Sequence, residues 1–350
     1  MAELLSVVEA QNKILDQISG PQRTVVPFEQ AVGLVLAEPI VACDDIPPFA
    51  NSSMDGFAVR CQDTLTAPIE LLVTGDIPAG IPSTLTLNKG EAVRIMTGAP
   101  LPVGADAVIP VEDTGFSHFN DQKELPRAVN ILRSAKPGEN VRPQGMDMHK
   151  DQQVLSPGRV LQPQDIGLFA TLGVTEVPVF RPPKVAIIPS GDELLYPHQD
   201  LQPGKIRDAN TYHMAAQTVQ AGGTVIRLPI ARDDPKDLTE KLDQAVESGA
   251  DLILTSAGVS MGAFDFVRST IETKGSVQFW KVSVRPGKPV MFGRYRGVPL
   301  IGLAGNPVSS FVGFLLFARP AIYKLRGIPP HMLRPVQVIT THEIESDPRE

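Results

Sequence analysis

From residue 184 onwards, short apolar runs alternate with amphipathic stretches. Val185 to Ile188, Val225 to Pro229 and Leu252 to Thr255 are continuous and branched, whereas Thr211 to Ala221 and Pro235 to Ser248 carry apolar residues at helical spacing. Strand, helix and strand repeated in this order predict a parallel sheet covered on both faces. Before residue 184 the rhythm differs. Leu4, Val8, Leu15 and Ile18 predict an amphipathic helix over 4–18, closed by Ser19-Gly20-Pro21, and a short helix follows near Phe28 to Val32. Ile46-Pro47-Pro48-Phe49 forces an extended segment that reads as a hinge. Ile69 to Thr74, Ala92 to Met96, Ala107 to Val111 and Ala128 to Leu132 are candidate strands between Gly/Pro turns, which predicts a separate β-rich domain. Strand, helix (Asp165 to Leu172, ended by Gly173) and strand then lead to a boundary at Arg181-Pro182-Pro183.

Composition narrows the class. A chain of 350 residues with 42% hydrophobic and 20% charged residues is a soluble globular type, long enough for two or three domains. Its net charge of −7, without Lys/Arg runs, offers no electrostatic footprint for nucleic acid, so an anionic ligand needs a local basic patch. Cys43 and Cys61 show neither disulfide nor metal spacing, and the histidines form no zinc motif. Charged residues interrupt the N-terminal stretch, and Phe311 to Ala318, the longest apolar run, is too short to span a bilayer. The expectation is a cytoplasmic protein without membrane or nucleic-acid partners.

In parallel sheets ligands sit beyond the carboxyl ends of the strands. Three loops there are acidic: Ser190-Gly191-Asp192-Glu193, Asp233-Asp234-Pro235, and the stretch from Ser256 to Asp265. The last, AGVSMGAFDF after its strand, is rich in small residues. Ser256, Ala257, Gly258, Ser260 and Gly262 let backbone N–H groups approach an anion, and a helix starting near Ala263 aims its positive end at the same point. Asp265 within that helix then calls for a cation, although a simple helix cap accounts for it equally. Asp234 before Pro235 also fits a cap. Together Glu193, Asp234 and Asp265 supply hard oxygen ligands of the kind magnesium takes with substrate phosphates.

Lys281-Val-Ser-Val-Arg285-Pro-Gly-Lys288 places cations around a Pro/Gly turn facing the same edge, and Gly305-Asn306-Pro307-Val308-Ser309 repeats the small loop before a helix. One helix N-terminus contributes only ~0.3 to 1 kcal/mol to an anion. Micromolar binding needs roughly 8 kcal/mol, so these groups must act together on a large polyanion. In the β-rich domain, Asp55, Thr97-Gly98 and Gly145-Met146-Asp147 form polar turns, for which ordinary turn chemistry suffices when each is taken alone.

PPFANSSMDGFAVR, RIMTGAP, SGDEL, RDDP, AGVSMGAFDF, FWKVSVRPGKP and GLAGNPVSSF, in this order and spacing, resemble the molybdopterin molybdenumtransferase family, MoeA, whose eukaryotic relative is the gephyrin E domain. The resemblance runs from the first helix to about Gly327. It implies an α/β multidomain homodimer that inserts molybdenum from molybdate into adenylylated molybdopterin, releasing AMP with Mg2+. It also implies work beside a molybdopterin adenylyltransferase and a molybdopterin synthase. The implied domains are a linking domain (1–47 and 148–180), a β-rich domain (48–147), an α/β molybdopterin-binding domain similar to the adenylyltransferases (181–327), and the start of a C-terminal β domain (328–350) that is mostly absent. The implied active site lies between the α/β domain of one subunit and the β domains of the other. Asp55, Asp147, Asp234, Asp265 and Lys281 are the implied catalytic groups, and Glu193, Asp234 and Asp265 the metal carboxylates. Thr97, Glu193, Ser256, Gly258, Ser260, Gly262, Arg285, Lys288, Gly305, Asn306 and Ser309 contact substrate in this reading. Ala257, Arg285 and Ala304 depart from the family pattern, which has glycine, commonly lysine, and proline there. Two competing readings are a non-catalytic scaffold and an adenylyltransferase. The acidic set spread over separate domains argues against the first and the β-rich domain against the second.

Overall fold

A computed structural model describes residues 4–116, 125–256, 264–330, 337, 339 and 341–343, with only the backbone described for 264–266. The chain divides into two compact units, one of residues 1–38, 157–170 and 174–350, the other of 39–156 with 171–173. The strand expected over 336–341 falls largely outside the described residues.

The first unit opens with helix α1 (Val7–Gln17), shorter than the 4–18 expected because Ser6 begins it. Ser6 accepts from the Glu9 backbone N–H and the Glu9 carboxylate accepts from that of Ser6, a reciprocal capping box. The expected helix at Phe28 is a single tight turn, Phe28–Gln30. Strands Arg23–Pro27, Val35–Leu36 and Glu176–Phe180 form a small antiparallel sheet, and helix α2 (Pro163–Leu172) precedes the last of them.

The second unit carries a five-stranded sheet in the order 107–110, 56–59, 91–95, 69–77, 128–131, matching the four expected strands and adding Gly56–Val59. Its strands pack through Phe57, Val59 and Ile109 on one face and Ala58, Val93 and Ile95 on the other. Cys61 is buried there. Burial, then the Asp106 carboxylate beside it, pushes its thiol up to about 12, so it stays protonated and inert.

The remainder of the first unit is a six-stranded sheet in the order 224–227, 184–189, 252–256, 298–303, 289–295, 275–281. Helix α3 (Asn210–Gln220), α4 (Pro235–Glu247) and α5 (Phe264–Glu272) connect its strands. The first four strands are parallel, as expected. The fifth strand runs against them: a tight turn at Arg296-Gly297, with φ of 45° and 84°, folds Pro289–Tyr295 against Val298–Leu303 in antiparallel register, and 275–281 pairs antiparallel with the fifth in turn. The sheet is therefore mixed. Its central strands, Leu252–Ser256 among them, are buried along their whole length, which is why their sequence shows no alternation.

After the last strand, α6 (Pro307–Gly313), a π turn (Phe314–Ala318) and α7 (Arg319–Leu325) form one helical run. At 19 residues and a mean hydropathy of 1.3 it is long and apolar enough to cross a membrane, because the helix continues beyond the apolar run that ends at Ala318. Half of it is buried, and Phe314, Phe317, Ala321 and Ile322 join the core between this run, α1 and the sheet, so core packing accounts for the composition. Pro320 has no N–H, so the Leu316 carbonyl lacks its ordinary α-helical donor. Gln11 of α1 supplies one, its Nε2 donating at 2.9 Å. Lys324 in turn donates to the Leu15 carbonyl at 2.7 Å, satisfying the end of α1.

A polar knot ties α4 to the antiparallel edge. The Asp243 carboxylate accepts from Lys274 (2.7 Å), Tyr295 (3.0 Å) and Arg296 (3.1 Å). Burial acts to raise the pKa of Asp243, but these donors outweigh it and hold the carboxyl below its ordinary value.

Two outcomes follow from these contacts. Gln11→Leu leaves a partly buried carbonyl without its donor and should cost about 1 kcal/mol in chemical denaturation. Because the folded pKa of Asp243 is depressed, its stabilisation is present above the unfolded value and lost as pH falls through the folded one. Asp243→Asn should therefore lower stability at neutral pH and flatten its decline in acid titrations of unfolding.

Candidate functional site

The strand directions bring five loops to one edge of the six-stranded sheet. Strands 184–189, 224–227, 252–256 and 298–303 end there. Two antiparallel pairings in succession turn 275–281 the same way, so the turn from Lys281 to Pro289 also lies at this edge. Strand order sorts the loops by charge. At one end are Asp192, Glu193, Asp233 and Asp234, in the middle Ser256 and the 304–309 loop, and at the other end Lys281, Arg285 and Lys288.

Backbone bonds hold the acidic loops together. Ser190 N–H and Oγ donate to the Ser256 carbonyl at 3.3 and 3.4 Å, and the Gly191 N–H donates to that of Ala231 at 3.1 Å. The Asp192 N–H donates to Asp233 and the Asp233 N–H to Asp192, each at 3.4 Å. Gly191 has φ of 142°, and a Cβ there would lie 2.4 Å from the Glu193 carboxylate, so only glycine lets Glu193 fold back over this turn. Lys205 donates to the Asp192 carbonyl, bringing one cation beside the four acids.

At the other end, Lys281 is half-buried with its Nζ 4.4 Å from the Trp280 ring centre. The turn beyond it is pressed onto the neighbouring loop: a Cβ on Gly287, φ 109°, would sit 3.3 Å from the Ser309 carbonyl oxygen. That loop is fixed in two further ways. The Asn306 side chain accepts from the Val308 and Ser309 N–H groups at 3.0 and 3.2 Å, capping α6, and the Asn210 side chain donates to the Gly305 carbonyl at 2.7 Å. Leu4, Ser283, Val284, Arg285 and Lys288 line a cavity of ≈ 300 Å³ beside the cationic turn.

A second polar group stands by itself in the other unit. Gly56 and Ile95 are register partners in antiparallel strands, which brings Asp55, one residue outside the pair, to Thr97, two residues outside it. Thr97 donates to the Asp55 carboxylate through its N–H (2.6 Å) and its Oγ1 (2.8 Å). Arg142, on the strand paired with Asn51–Ser52, donates to Asp147 at 2.6 Å. Neither carboxylate spends itself on a local turn of its own backbone. That differs from the bland reading, because strand pairing offers each a stronger partner.

Two family models match successive parts of the chain. The family described as "MoeA N-terminal region (domain I and II)" matches residues 5–173, and "Probable molybdopterin binding domain" matches 186–324. The Mycobacterium tuberculosis protein named molybdopterin molybdenumtransferase 2 is 40% identical over 335 residues, which cover 93% of this chain and 80% of that one. The chain belongs to the molybdopterin molybdenumtransferase family, MoeA. The Haemophilus influenzae molybdopterin molybdenumtransferase is 37% identical, covering 94% of this chain and 80% of the relative. A solved MoeA structure from Pyrococcus horikoshii superposes with a TM-score of 0.77 at 32% identity, covering 93% of this chain and 80% of that one. Membership of the MoeA family places the chain in molybdenum cofactor biosynthesis, with a transferase role.

Against the MoeA expectations, Glu193, Asp234, Ser256, Lys281, Arg285, Lys288, Gly305, Asn306 and Ser309 share the sheet edge, while Asp55 meets Thr97 and Asp147 pairs with Arg142 in the other unit. Asp265 lies in the first turn of α5 by its backbone, and its side chain, with Gly258, Ser260 and Gly262, lies outside the described residues. Asp234 does cap a helix: its Oδ1 accepts from the Lys236 and Asp237 N–H groups at 2.9 and 3.0 Å, leaving Oδ2 as the oxygen for any ligand. Among the described residues no three His, Cys, Asp or Glu side chains cluster as a closed metal site. The all-oxygen donors at this edge still fit magnesium, which takes one or two carboxylates and completes its shell with substrate oxygens and water.

Sequence reasoning missed Asn210, which anchors the Gly305 carbonyl, and the mutual bonds of Asp192 and Asp233. Asn210 stands at the start of a helix, where nothing local signals a strut across 95 residues. Asp234→Asn keeps a good capping oxygen and should leave the melting temperature unchanged. Asp234→Ala loses the cap and should cost about 1 kcal/mol in the same thermal unfolding assay.

Proposed function

We propose that this protein inserts molybdenum from molybdate into adenylylated molybdopterin, releasing AMP, as a cytoplasmic homodimer that requires Mg2+. The observation that carries this reading is the sorting of charge along one sheet edge. Adjacent strands lie about 4.8 Å apart, so the four intervals from the acidic loop after residue 189 to the cationic turn after residue 281 span roughly 19 Å. That length suits an extended substrate with anionic groups at both ends. A small monoanion would use only one end.

In this reading the backbone N–H groups of the 304–309 loop and the start of α6 bind the middle of the substrate. Lys281, Arg285 and Lys288 hold molybdate beside the dithiolate, replacing part of its hydration and orienting it. The planar Arg285 guanidinium favours a forked grip on two oxygens. Glu193 and the Oδ2 of Asp234, with Asp265, would hold Mg2+, which supplies charge neutralisation at the phosphoanhydride. Asp192 and Asp233, fixed by their mutual bonds, would relay the protons that the dithiol loses to the molybdate oxygens, which then depart as water. Asp55, aligned by Thr97, and Asp147, paired with Arg142, are preorganised carboxylates for the same chemistry. A molybdopterin-binding scaffold is the second reading, and it has the same affinity for ligand but no turnover.

AMP release from adenylylated molybdopterin should require both molybdate and Mg2+. Arg285→Met should raise the molybdate KM by about tenfold or more, the loss of roughly one charge-assisted contact. Asp234→Asn, which preserves the cap, should nevertheless lower kcat. Ligand binding by calorimetry with no AMP release under any ion condition would replace the transferase reading with the scaffold.

A further inference from the structure

Helix α3 and the α6–α7 run lie side by side, both leading from the carboxyl edge of the sheet, where Asn210 and Asn306 stand, to the opposite edge, where Arg326 meets Ala221. Towards that far end the seam opens into a cavity of ≈ 180 Å³, lined by Gln217, Gln220, Phe314, Arg319 and Tyr323. The cavity sits against the Phe314–Ala318 π turn, the local widening that accompanies Pro320, and π turns set into α-helices recur at functional sites.

The polar groups here are poorly matched to one another. Gln217 is 7% exposed, its Oε1 lies 3.1 Å from His213 Nδ1, and its Nε2 is buried with no partner. The Nε of Arg319 is also buried with no partner, its guanidinium lying 6.0 Å from the Tyr323 ring centre. One turn beyond the cavity, Arg326 donates to the Ala221 and Gly33 carbonyls at 2.8 Å, so its charge is met by neutral acceptors. No Asp or Glu is among the described residues lining the cavity. A half-buried cation whose Nε is buried without a partner, and a buried amide whose Nε2 is likewise unmet, with no carboxylate lining the cavity, form a site lacking its acceptor.

We propose that this cavity binds a small anion of the carboxylate or phosphate class, accepting hydrogen bonds from Gln217 Nε2 and Arg319. The site lies apart from the loops of the carboxyl edge and does not rest on the transferase reading. Inorganic phosphate and succinate, titrated separately into the full chain by calorimetry, distinguish the two sources. At least one should bind once per chain. Arg319→Met should weaken that binding by about tenfold or more. Gln217→Glu, which places a carboxylate where the anion sits, should abolish binding and raise the melting temperature, a readout that separates a filled site from a damaged fold. The Arg285→Met/Lys288→Met double variant should leave the binding intact. Absence of binding of either anion at about 10 mM, binding that survives Arg319→Met, or binding lost in the Arg285/Lys288 variant overturns the proposal.

Discussion

Parallel pairing is the constraint on which the rest of the first unit depends. A strand such as Leu252–Ser256, flanked on both sides by parallel neighbours and covered on both faces, cannot reverse by a tight turn, so each crossover must pass over the sheet as a helix. All carboxyl ends then emerge at one edge. Topology alone makes neighbours of five loops distant in sequence, and bonds such as those between Asp192 and Asp233 then hold them. The antiparallel hairpin at residues 289–303 extends this arrangement, because two reversals return Gly275–Lys281 to the original direction and deliver its cations to the same edge.

Once the loops are there, their shape is fixed by satisfying backbone groups that the turns leave unpaired. Asn306, Asp234 and Ser6 each cap a helix, and Asn210 takes up the Gly305 carbonyl. The same economy operates in the core. Pro320 removes a donor from a buried helix, and the Leu316 carbonyl is met by a side chain from the other end of the chain. Helix α1 is thus bound to the α6–α7 run by complementary defects, Gln11 serving its π turn and Lys324 serving α1. Apolar packing between them supplies adhesion, while these bonds set the register.

At this edge one residue can serve the local structure and still leave groups free of it. Asp234 caps α4 with one oxygen and presents the other, and Asn306 holds its loop while the loop presents backbone N–H groups. Asp55 and Asp147 are likewise held by partners that align them without burying them. Fixing a carboxylate in this way removes the entropy that a free side chain loses when a ligand arrives.

What the sequence determined by itself was local. Apolar rhythm set the helices and most strands to within a few residues, because burial of one helical stripe or of a whole strand leaves its period in the residues. Composition placed hard acids and small residues after the strands, and the ordered motifs pointed to the family, so residues that meet at the sheet edge were legible at Glu193, Asp234, Lys281, Arg285 and Asn306. Their partners were not. That Thr97 bonds Asp55, that Asn210 holds Gly305, and that Gln11 reaches Leu316 are contacts across 42, 95 and 305 residues. Neither period nor propensity reports which distant residue will stand opposite; strand order, register and helix packing do. The antiparallel hairpin escaped for a related reason. An apolar strand reads alike in either direction, and only its hydrogen-bonded neighbour decides which way it runs.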